Sequence, residues 1–146
     1  MDLKKIKQSI INRRSEIIMN YEELMQKAEE VSKNSYSPYS KFPVGACLLT
    51  SSGKIYTGCN FENSSYGLTI CAERNAVGSA IAEGEREILA VAIYSPNQDC
   101  CSPCGACRQV LQEFKPQNKD IDIILKSNEE LKIIPLSKLL PEGFSL

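Results

Sequence analysis

The sequence contains no histidine and no tryptophan in its 146 residues. Without histidine the chain cannot build a Ser-His-Asp triad, a Cys-His dyad or an HExxH zinc site. Any metal must therefore be held by cysteine, aspartate, glutamate or the backbone, and proton transfer must use Glu, Asp, Lys, Tyr or Cys. The sequence also lacks an apolar run approaching the ~20 residues of a membrane span, so we expect no membrane partner.

An excess of positive charge is missing as well. The 17 basic and 18 acidic residues leave a net charge of −1, whereas a broad phosphate-binding surface is strongly basic. We therefore expect no nucleic acid polymer as a partner. The N-terminus is basic but has neither the apolar core nor the cleavage site of a signal peptide, which favours a cytoplasmic protein.

Hydrophobic periodicity predicts two helices at the N-terminus. In the first, Leu3, Ile6, Ile10 and Ile17 share a face that we expect to pack on the body or on a partner chain. Asn20 followed by Glu23 resembles a capping box, and it predicts the start of a second helix running roughly from 21 to 32.

The rest of the chain alternates between strands and helices. Strands are predicted at 44–50, 54–60, 87–95, 120–127 and 131–136, and helices at 72–83 and 103–114, with a short helical turn near the C-terminus. This order predicts an α/β fold in which a mixed sheet carries helices on both faces.

Seven cysteines, an odd number in a chain without secretion signals, favour metal or thiol chemistry over a disulfide framework. Cys104 and Cys107 form a CxxC motif, and Cys71 begins its own predicted helix far upstream. Exposed N–H groups at two helix N-termini favour thiolates at these positions. Three thiolates on zinc leave the fourth position open, which is the arrangement of a catalytic site.

Two residues next to Cys71 suit that chemistry. Glu73 lies in the first helical turn, where a carboxylate can carry protons beside the metal without ligating it. Zinc with three thiolates has a net charge of −1, which the guanidinium of Arg74 can offset by donating to the sulfurs. The order C-A-E, then P-C-G-A-C, has the layout of the zinc nucleobase deaminase signature.

Simpler interpretations of these cysteines and of the other candidate residues stay open. A CxxC motif alone also fits a thiol oxidoreductase, and Cys100 or Cys101 could complete a structural four-cysteine zinc site. Cys47 and Cys59 fit core packing. Taken alone, Phe42 fits a core position, Asn60 and Glu62 fit solvated loop positions, and Phe144 fits local packing.

Four motifs in order resemble the small cytidine deaminases, the homotetrameric family that acts on free nucleosides. They are SPYSKFPVGA at 37–46, GCNFEN at 58–63, CAER at 71–74 and SPCGACRQ at 102–109. The resemblance spans 36–144 and implies a three-layer α/β/α fold with a mixed five-stranded sheet. It implies hydrolytic deamination of cytidine and/or deoxycytidine to the uridine product, with release of ammonia, in pyrimidine salvage. It makes 1–18 a helical extension with no catalytic role and 19–146 the catalytic domain.

The resemblance also implies a role for each site residue. One zinc ion per subunit is held by Cys71, Cys104 and Cys107, and Glu73 is the proton shuttle. Asn60 and Glu62 bind the ribose hydroxyls, Phe42 packs on the pyrimidine and the backbone of Ala72 contacts the base. Phe144 reaches the site of a neighbouring subunit. Deaminases of polynucleotides or of aminonucleoside antibiotics share the zinc motifs, but the near-neutral charge and the N-x-E pair favour an ordinary nucleoside.

Overall fold

The computed structural model describes residues 2–146, with the side chains of 14–19 outside the description. Five strands form one sheet, and helices flank it. The elements are α1 (Leu3–Ser32), β1 (Gly45–Thr50), β2 (Ile55–Cys59), a 3₁₀ turn (Tyr66–Leu68), α2 (Ala72–Ala82), β3 (Ile88–Tyr94), α3 (Gly105–Glu113), β4 (Asp122–Ser127), β5 (Glu130–Pro135) and α4 (Leu136–Leu139). Among these described residues, no helix has the length and apolar character needed to cross a membrane.

The sheet has the strand order β2-β1-β3-β4-β5. Of the strands in the described residues, β3 and β4 pair in parallel and the other sheet neighbours pair antiparallel, so the sheet is mixed as predicted. Asn128 and Glu129 join β4 to β5 with φ angles of 48° and 67°. Two successive positive φ angles are typical of the tight hairpin turn whose twist matches that of the strands.

Helices cover both faces of the sheet, which confirms the three-layer architecture. On one face, α1 packs Leu24, Met25 and Ala28 against the central strands, and the buried Cys47 belongs to this cluster as expected of a core residue. On the other face, α2 and α3 contribute Ala76, Val77, Ala80 and Leu111 to a larger cluster with Leu48, Val91, Ile93 and Ile123. The N-termini of α2 and α3 meet on this second face.

The prediction of two N-terminal helices was wrong, because α1 runs unbroken from Leu3 to Ser32. The capping role falls to Asp2, whose carboxylate accepts a hydrogen bond from the Lys4 backbone N–H at 3.0 Å. An asparagine inside a helix costs only a few tenths of a kcal/mol to ~0.7 kcal/mol. Burial of the face that begins at Tyr21 is worth more than that, so Asn20 stays helical.

The described side chains of the predicted apolar face before residue 14 are largely open to solvent. Leu3 and Ile10 are 73% and 55% exposed, and Ile6 is half-buried. The side chain of Ile17, which we predicted on the same face, lies outside the described residues. Contact of this face with a partner chain remains a prediction.

Gly58 allows α2 to lie directly against β2. A Cβ atom at Gly58 would come within 2.5 Å of both the Ala72 carbonyl oxygen and the Ala76 amide nitrogen, which are backbone atoms of α2. We expect Gly58→Ala to push α2 away from the sheet and to lower the free energy of unfolding by ~1–3 kcal/mol. Urea denaturation measures this change.

Gly78 provides the matched control, because it lies in the same helix and a Cβ atom there meets nothing within 4 Å. Gly78→Ala should stabilise the protein by ~0.5–1 kcal/mol, since alanine loses less backbone entropy in a helix than glycine. Similar urea midpoints for the two variants would contradict the close approach of α2 to β2.

Candidate metal centre

Two helix N-termini carry the three cysteines of the predicted metal site. Cys71 and Cys104 are the N-cap residues of α2 and α3, with extended backbones and no capping hydrogen bond from either sulfur. Cys107 follows in the first turn of α3 and is buried. We predicted that Pro103 opens α3, but it lies one residue before the cap and is buried there. Neither cap sulfur is thus used to cap its helix.

The three sulfurs are spaced for one tetrahedral metal ion. The Sγ atoms of Cys71 and Cys104 are 3.8 Å apart, and all three Sγ atoms lie within 4.8 Å of one another. Zinc bound tetrahedrally at ~2.3 Å to each sulfur sets a sulfur–sulfur distance of ~3.8 Å. Cys104 is exposed whereas Cys107 is buried, so the cluster opens to solvent on one side. The residues therefore fit zinc with one position left for another ligand.

Neither Cys100 nor Cys101 joins this cluster among the described residues. Both are half-buried and pack against the larger hydrophobic cluster. Burial raises the pKa of the Cys101 thiol to about 11, which disfavours the thiolate that a metal requires. The geometry gives no support to a four-cysteine structural site.

Arg74 contacts the cluster through its guanidinium. Its Nη2 atom lies 3.4 Å from Cys71 Sγ, and its buried Nε atom has no hydrogen-bond partner in the described part of the chain. Hydrogen bonds, first from Cys107 and then from Arg74, hold the pKa of Cys71 well below its usual range, at about 5. One wall of the cluster is therefore cationic, which stabilises negatively charged sulfur.

Glu73 is buried beside the sulfurs, with only 4% of its surface exposed. Burial raises the pKa of its carboxyl group to about 7, and the nearby negative charge of Cys71 acts in the same direction. A carboxyl group with a pKa close to the working pH can both accept and release a proton during a reaction. Its position in the first turn of α2 keeps it next to the metal ligands.

Most predicted substrate residues meet at one cavity of about 400 Å³. It is lined by Phe42, Asn60, Ala72 and Glu73, together with the sulfur-bearing residues Cys71 and Cys104. Glu62 lines a neighbouring cavity of about 360 Å³, which shares Ser40 and Thr69 with the first. The two cavities together form a cleft that ends at the three cysteines.

Several lining residues were not predicted from the sequence. They are Ser40, Val44, Thr69, Gln98, Cys101 and Ser102 in the first cavity, and Tyr39, Tyr66 and Thr69 in the second. Ser40, Val44 and Ser102 lie inside the quoted motifs, so the motifs carried a signal for them. No quoted motif includes Thr69 or Gln98, which line the cleft because of the paths of the loops that carry them.

Asn60 and Glu62 have a structural task that the sequence did not suggest. The Asn60 side chain accepts from the Val44 backbone N–H and donates to the Phe42 carbonyl, both at 2.8 Å. Glu62 Oε1 accepts from the backbone N–H groups of Tyr39 and Ser40 at 2.9 and 3.1 Å. Both residues thereby fix the loop that carries Phe42 over the cleft.

Phe144 stands apart from the cleft of its own chain. Its side chain is 66% exposed, and its backbone carbonyl accepts a hydrogen bond from Gln109 Nε2 at 3.2 Å. Neither cavity of the cleft includes it. Within one chain, then, four of the five predicted substrate residues gather at the cleft and Phe144 does not.

Comparison with known proteins gives a consistent result. Residues 18–121 match the family model of the cytidine and deoxycytidylate deaminase zinc-binding region. The cytidine deaminase of Sporosarcina psychrophila is 43% identical over 128 residues, which are 87% of this chain and 93% of that protein. Crystal structures of cytidine deaminases from Burkholderia pseudomallei and Mycobacterium tuberculosis have TM-scores of 0.77 and 0.74, at 40% and 37% identity. They align with 84% and 86% of this chain and with 98% of each of those chains.

Proposed function

This chain belongs to the cytidine and deoxycytidylate deaminase family, and we propose that its site acts on free nucleosides, cytidine or deoxycytidine or both. The reaction is hydrolytic: water replaces the 4-amino group of cytosine, and ammonia and the uridine product leave. One observation carries the proposal, namely a buried carboxylate beside three convergent cysteines at the end of a nucleoside-sized cleft.

Cys71, Cys104 and Cys107 would hold the zinc ion. When bound, zinc supplies a Lewis acid that lowers the pKa of water toward neutrality. Glu73 takes the proton that water gives up as its oxygen attacks C4, and delivers that proton to N3 of the cytosine. Glu73 then takes the second proton from the hydroxyl group now on C4 and gives it to the amino group, which leaves as ammonia when the C4–N bond breaks and the C4 carbonyl forms. A single carboxylate thus does the proton work for which other enzymes use histidine.

The rest of the cleft positions the nucleoside. Phe42 packs against the pyrimidine ring, and the backbone of Ala72 contacts the base. Asn60 and Glu62 bind the ribose hydroxyls. Glu62 has its Oε2 oxygen for this task, since its Oε1 already accepts from the backbone. Asn60 has the second N–H of its amide, since its Oδ1 already accepts from Ser35 and Val44. The same contacts hold the Phe42 loop in place, so binding of the sugar and binding of the base depend on one hydrogen-bonded unit.

The cleft favours a nucleoside over a nucleotide. No lysine or arginine is among the described residues that line its two cavities, whereas Glu62 and Glu73 are acidic. A 5′-phosphate would therefore enter without a cationic partner and next to a carboxylate, which is unfavourable. We expect kcat/KM for cytidine or deoxycytidine to exceed that for deoxycytidylate by at least about tenfold. A preference for the nucleotide would overturn this substrate class.

Arg74 has the role of offsetting the charge of three thiolates. We expect Arg74→Gln to lower zinc affinity or kcat by ~10–100-fold, as is usual when a hydrogen bond to a metal ligand is lost. Zinc titration and steady-state kinetics measure both quantities. Arg86→Gln is the control, because that guanidinium donates to backbone carbonyls away from the cleft. Unchanged zinc affinity and kcat in the Arg74 variant would show that Arg74 does not offset the charge of the thiolates.

The active form is a homotetramer in which Phe144 completes the site of a neighbouring subunit. The 66% exposure of this aromatic ring, and its distance from the cleft of its own chain, support that arrangement. A large exposed apolar side chain near a chain terminus is suited to burial against another subunit.

Mixed oligomers test the shared site. Glu73→Gln and Phe144→Ala each inactivate or impair a homotetramer, but in a mixed oligomer some sites combine an intact Glu73 with an intact Phe144. Subunits denatured and refolded together should therefore regain more activity than the average of the two separate preparations. A mixture that shows only that average would contradict a site shared between subunits.

We place the protein in the cytoplasm. All seven cysteines are free thiols in the described structure, which suits a reducing compartment.

A further inference from the structure

The first turns of α1 form a basic, amphipathic segment in which two apolar side chains are largely exposed. We call residues 3–13 the extension. Its apolar side chains include Leu3, 73% exposed, and Ile10, 55% exposed. Lys4, Lys5, Lys7 and Arg13 surround them and are exposed, and the extension contains no acidic residue. The extension also lies outside the region that matches the family model, which begins at residue 18.

A groove of opposite charge lies elsewhere on the same chain. It has a volume of about 660 Å³ and runs between the C-terminal half of α1 and the edge strand β5. Leu131 and Ile133 supply an apolar side, and Ile133 is 45% exposed. Glu22, Glu29, Glu129 and Glu130 also line this acidic groove. Among the described residues that line it, Lys126 is the one basic residue, and it pairs with Glu29 and Glu129 at 3.4 Å, so the lining keeps an excess of negative charge.

The extension cannot reach the acidic groove of its own chain. One wall of that groove is α1 itself, and α1 continues as a single helix of 30 residues into the extension. The helix is ~45 Å long, so its first residues lie tens of ångströms from the groove and point away from it. An extension that docks in an acidic groove must therefore dock in that of another molecule.

We propose that the extension docks in the acidic groove of a second copy of this chain. Two α1 helices laid antiparallel about their midpoints bring residues 3–13 of each beside residues 22–32 of the other. Such a pairing places lysines of the extension near Glu29 and Arg13 near Glu22. Leu3 and Ile10 then face the apolar side of the groove. The two-fold symmetry of this pairing places each extension in the groove of the other chain. Such symmetric contacts are the usual form of association between identical chains.

This contact is separate from the site shared through Phe144. None of the residues that line the acidic groove lines either cavity of the cleft. Exposed ion pairs at its rim make the association sensitive to salt. Its apolar part is protected from that screening, so the contact weakens at high ionic strength and does not vanish.

Zero-length carbodiimide cross-linking tests the contact directly. Lys4 and Lys7 are ~22–27 Å from Glu22 along their own helix, so an amide bond between them can form only between two molecules. We expect cross-links from lysines of the extension to Glu22, Glu29 or Glu130, found by mass spectrometry of the full-length protein. Absence of such cross-links would overturn the proposal.

Charge exchange provides the second test. By sedimentation velocity, Lys7→Glu with Arg13→Glu, or Glu22→Lys with Glu29→Lys, should weaken self-association by about tenfold. A chain that carries all four substitutions should recover it. Lys54→Glu with Lys138→Glu is the matched control, since these exposed lysines do not line the groove.

Three results would overturn the proposal: a control as disruptive as the extension variant, no recovery in the fourfold variant, or association indifferent to all of these changes. Binding of the extension to anionic vesicles or nucleic acid, without cross-links to the groove, would assign it to another partner.

Discussion

Glu73→Gln is expected to keep its zinc and to lose at least ~10²–10⁴-fold in kcat, the usual contribution of general acid–base catalysis. The side chain is 4% exposed, and glutamine fills nearly the same volume, so the packing of α2 is preserved. Glutamine cannot carry a proton between water and the base. Steady-state kinetics with cytidine, together with zinc analysis of the same preparation, measures the two expectations.

Glu83→Gln is the control for this experiment, because Glu83 is exposed at the C-terminal end of the same helix. It changes the net charge equally and should leave kcat and zinc content unchanged. If Glu73→Gln retained turnover within a few-fold of the parent, the proton shuttle would have to be another residue.

Cys104→Ser is expected to abolish activity by removing the metal. A serine hydroxyl remains protonated near neutral pH and is a poor ligand for zinc, which favours thiolate. Since even an outer contact to a ligand is worth ~10–100-fold in zinc affinity, loss of a ligand should cost more than ~100-fold. Cys104 is exposed, so the fold should tolerate the change better than it would tolerate substitution of the buried Cys107.

Cys101→Ser is the control that shows whether loss of zinc is specific to the three-sulfur cluster. Cys101 lines the cleft but lies outside the three-sulfur cluster. We expect this variant to bind zinc as the parent does, as measured by inductively coupled plasma mass spectrometry. Equal loss of zinc from the two variants would instead indicate a four-cysteine structural site.

The sheet could be predicted from the sequence because its strands carry local signals. The run from Ile88 to Tyr94 is almost wholly apolar, as a central strand covered on both faces should be. The placement of the metal centre could also be predicted, since the hydrophobic period marks two helices that begin near Cys71 and Cys104, with Cys107 in the first turn of the second. The roles of these residues came from the family motifs and not from their spacing alone.

The features that could not be predicted depend on tertiary contacts. Helix α1 continues through Asn20 because the helix face beyond it is buried. The capping motif at Asn20 and Glu23 is a local pattern and carries no information about that burial. The hydrogen bonds of Asn60 to Phe42 and Val44 join residues far apart in sequence. Taken alone, Asn60 therefore fitted a solvated loop position, and the family motif implied only ribose binding, whereas its buried side chain also holds the loop above the cleft.

Deamination of a free nucleoside by this protein requires a zinc ion held by Cys71, Cys104 and Cys107. The most direct test combines zinc content with the ultraviolet absorbance change when cytidine or deoxycytidine is added to the purified full-length protein. We predict one zinc per subunit and an absorbance change that matches the ammonia released. Zinc-free protein with a reducible bond between Cys104 and Cys107, or zinc-loaded protein that releases no ammonia, would contradict the account.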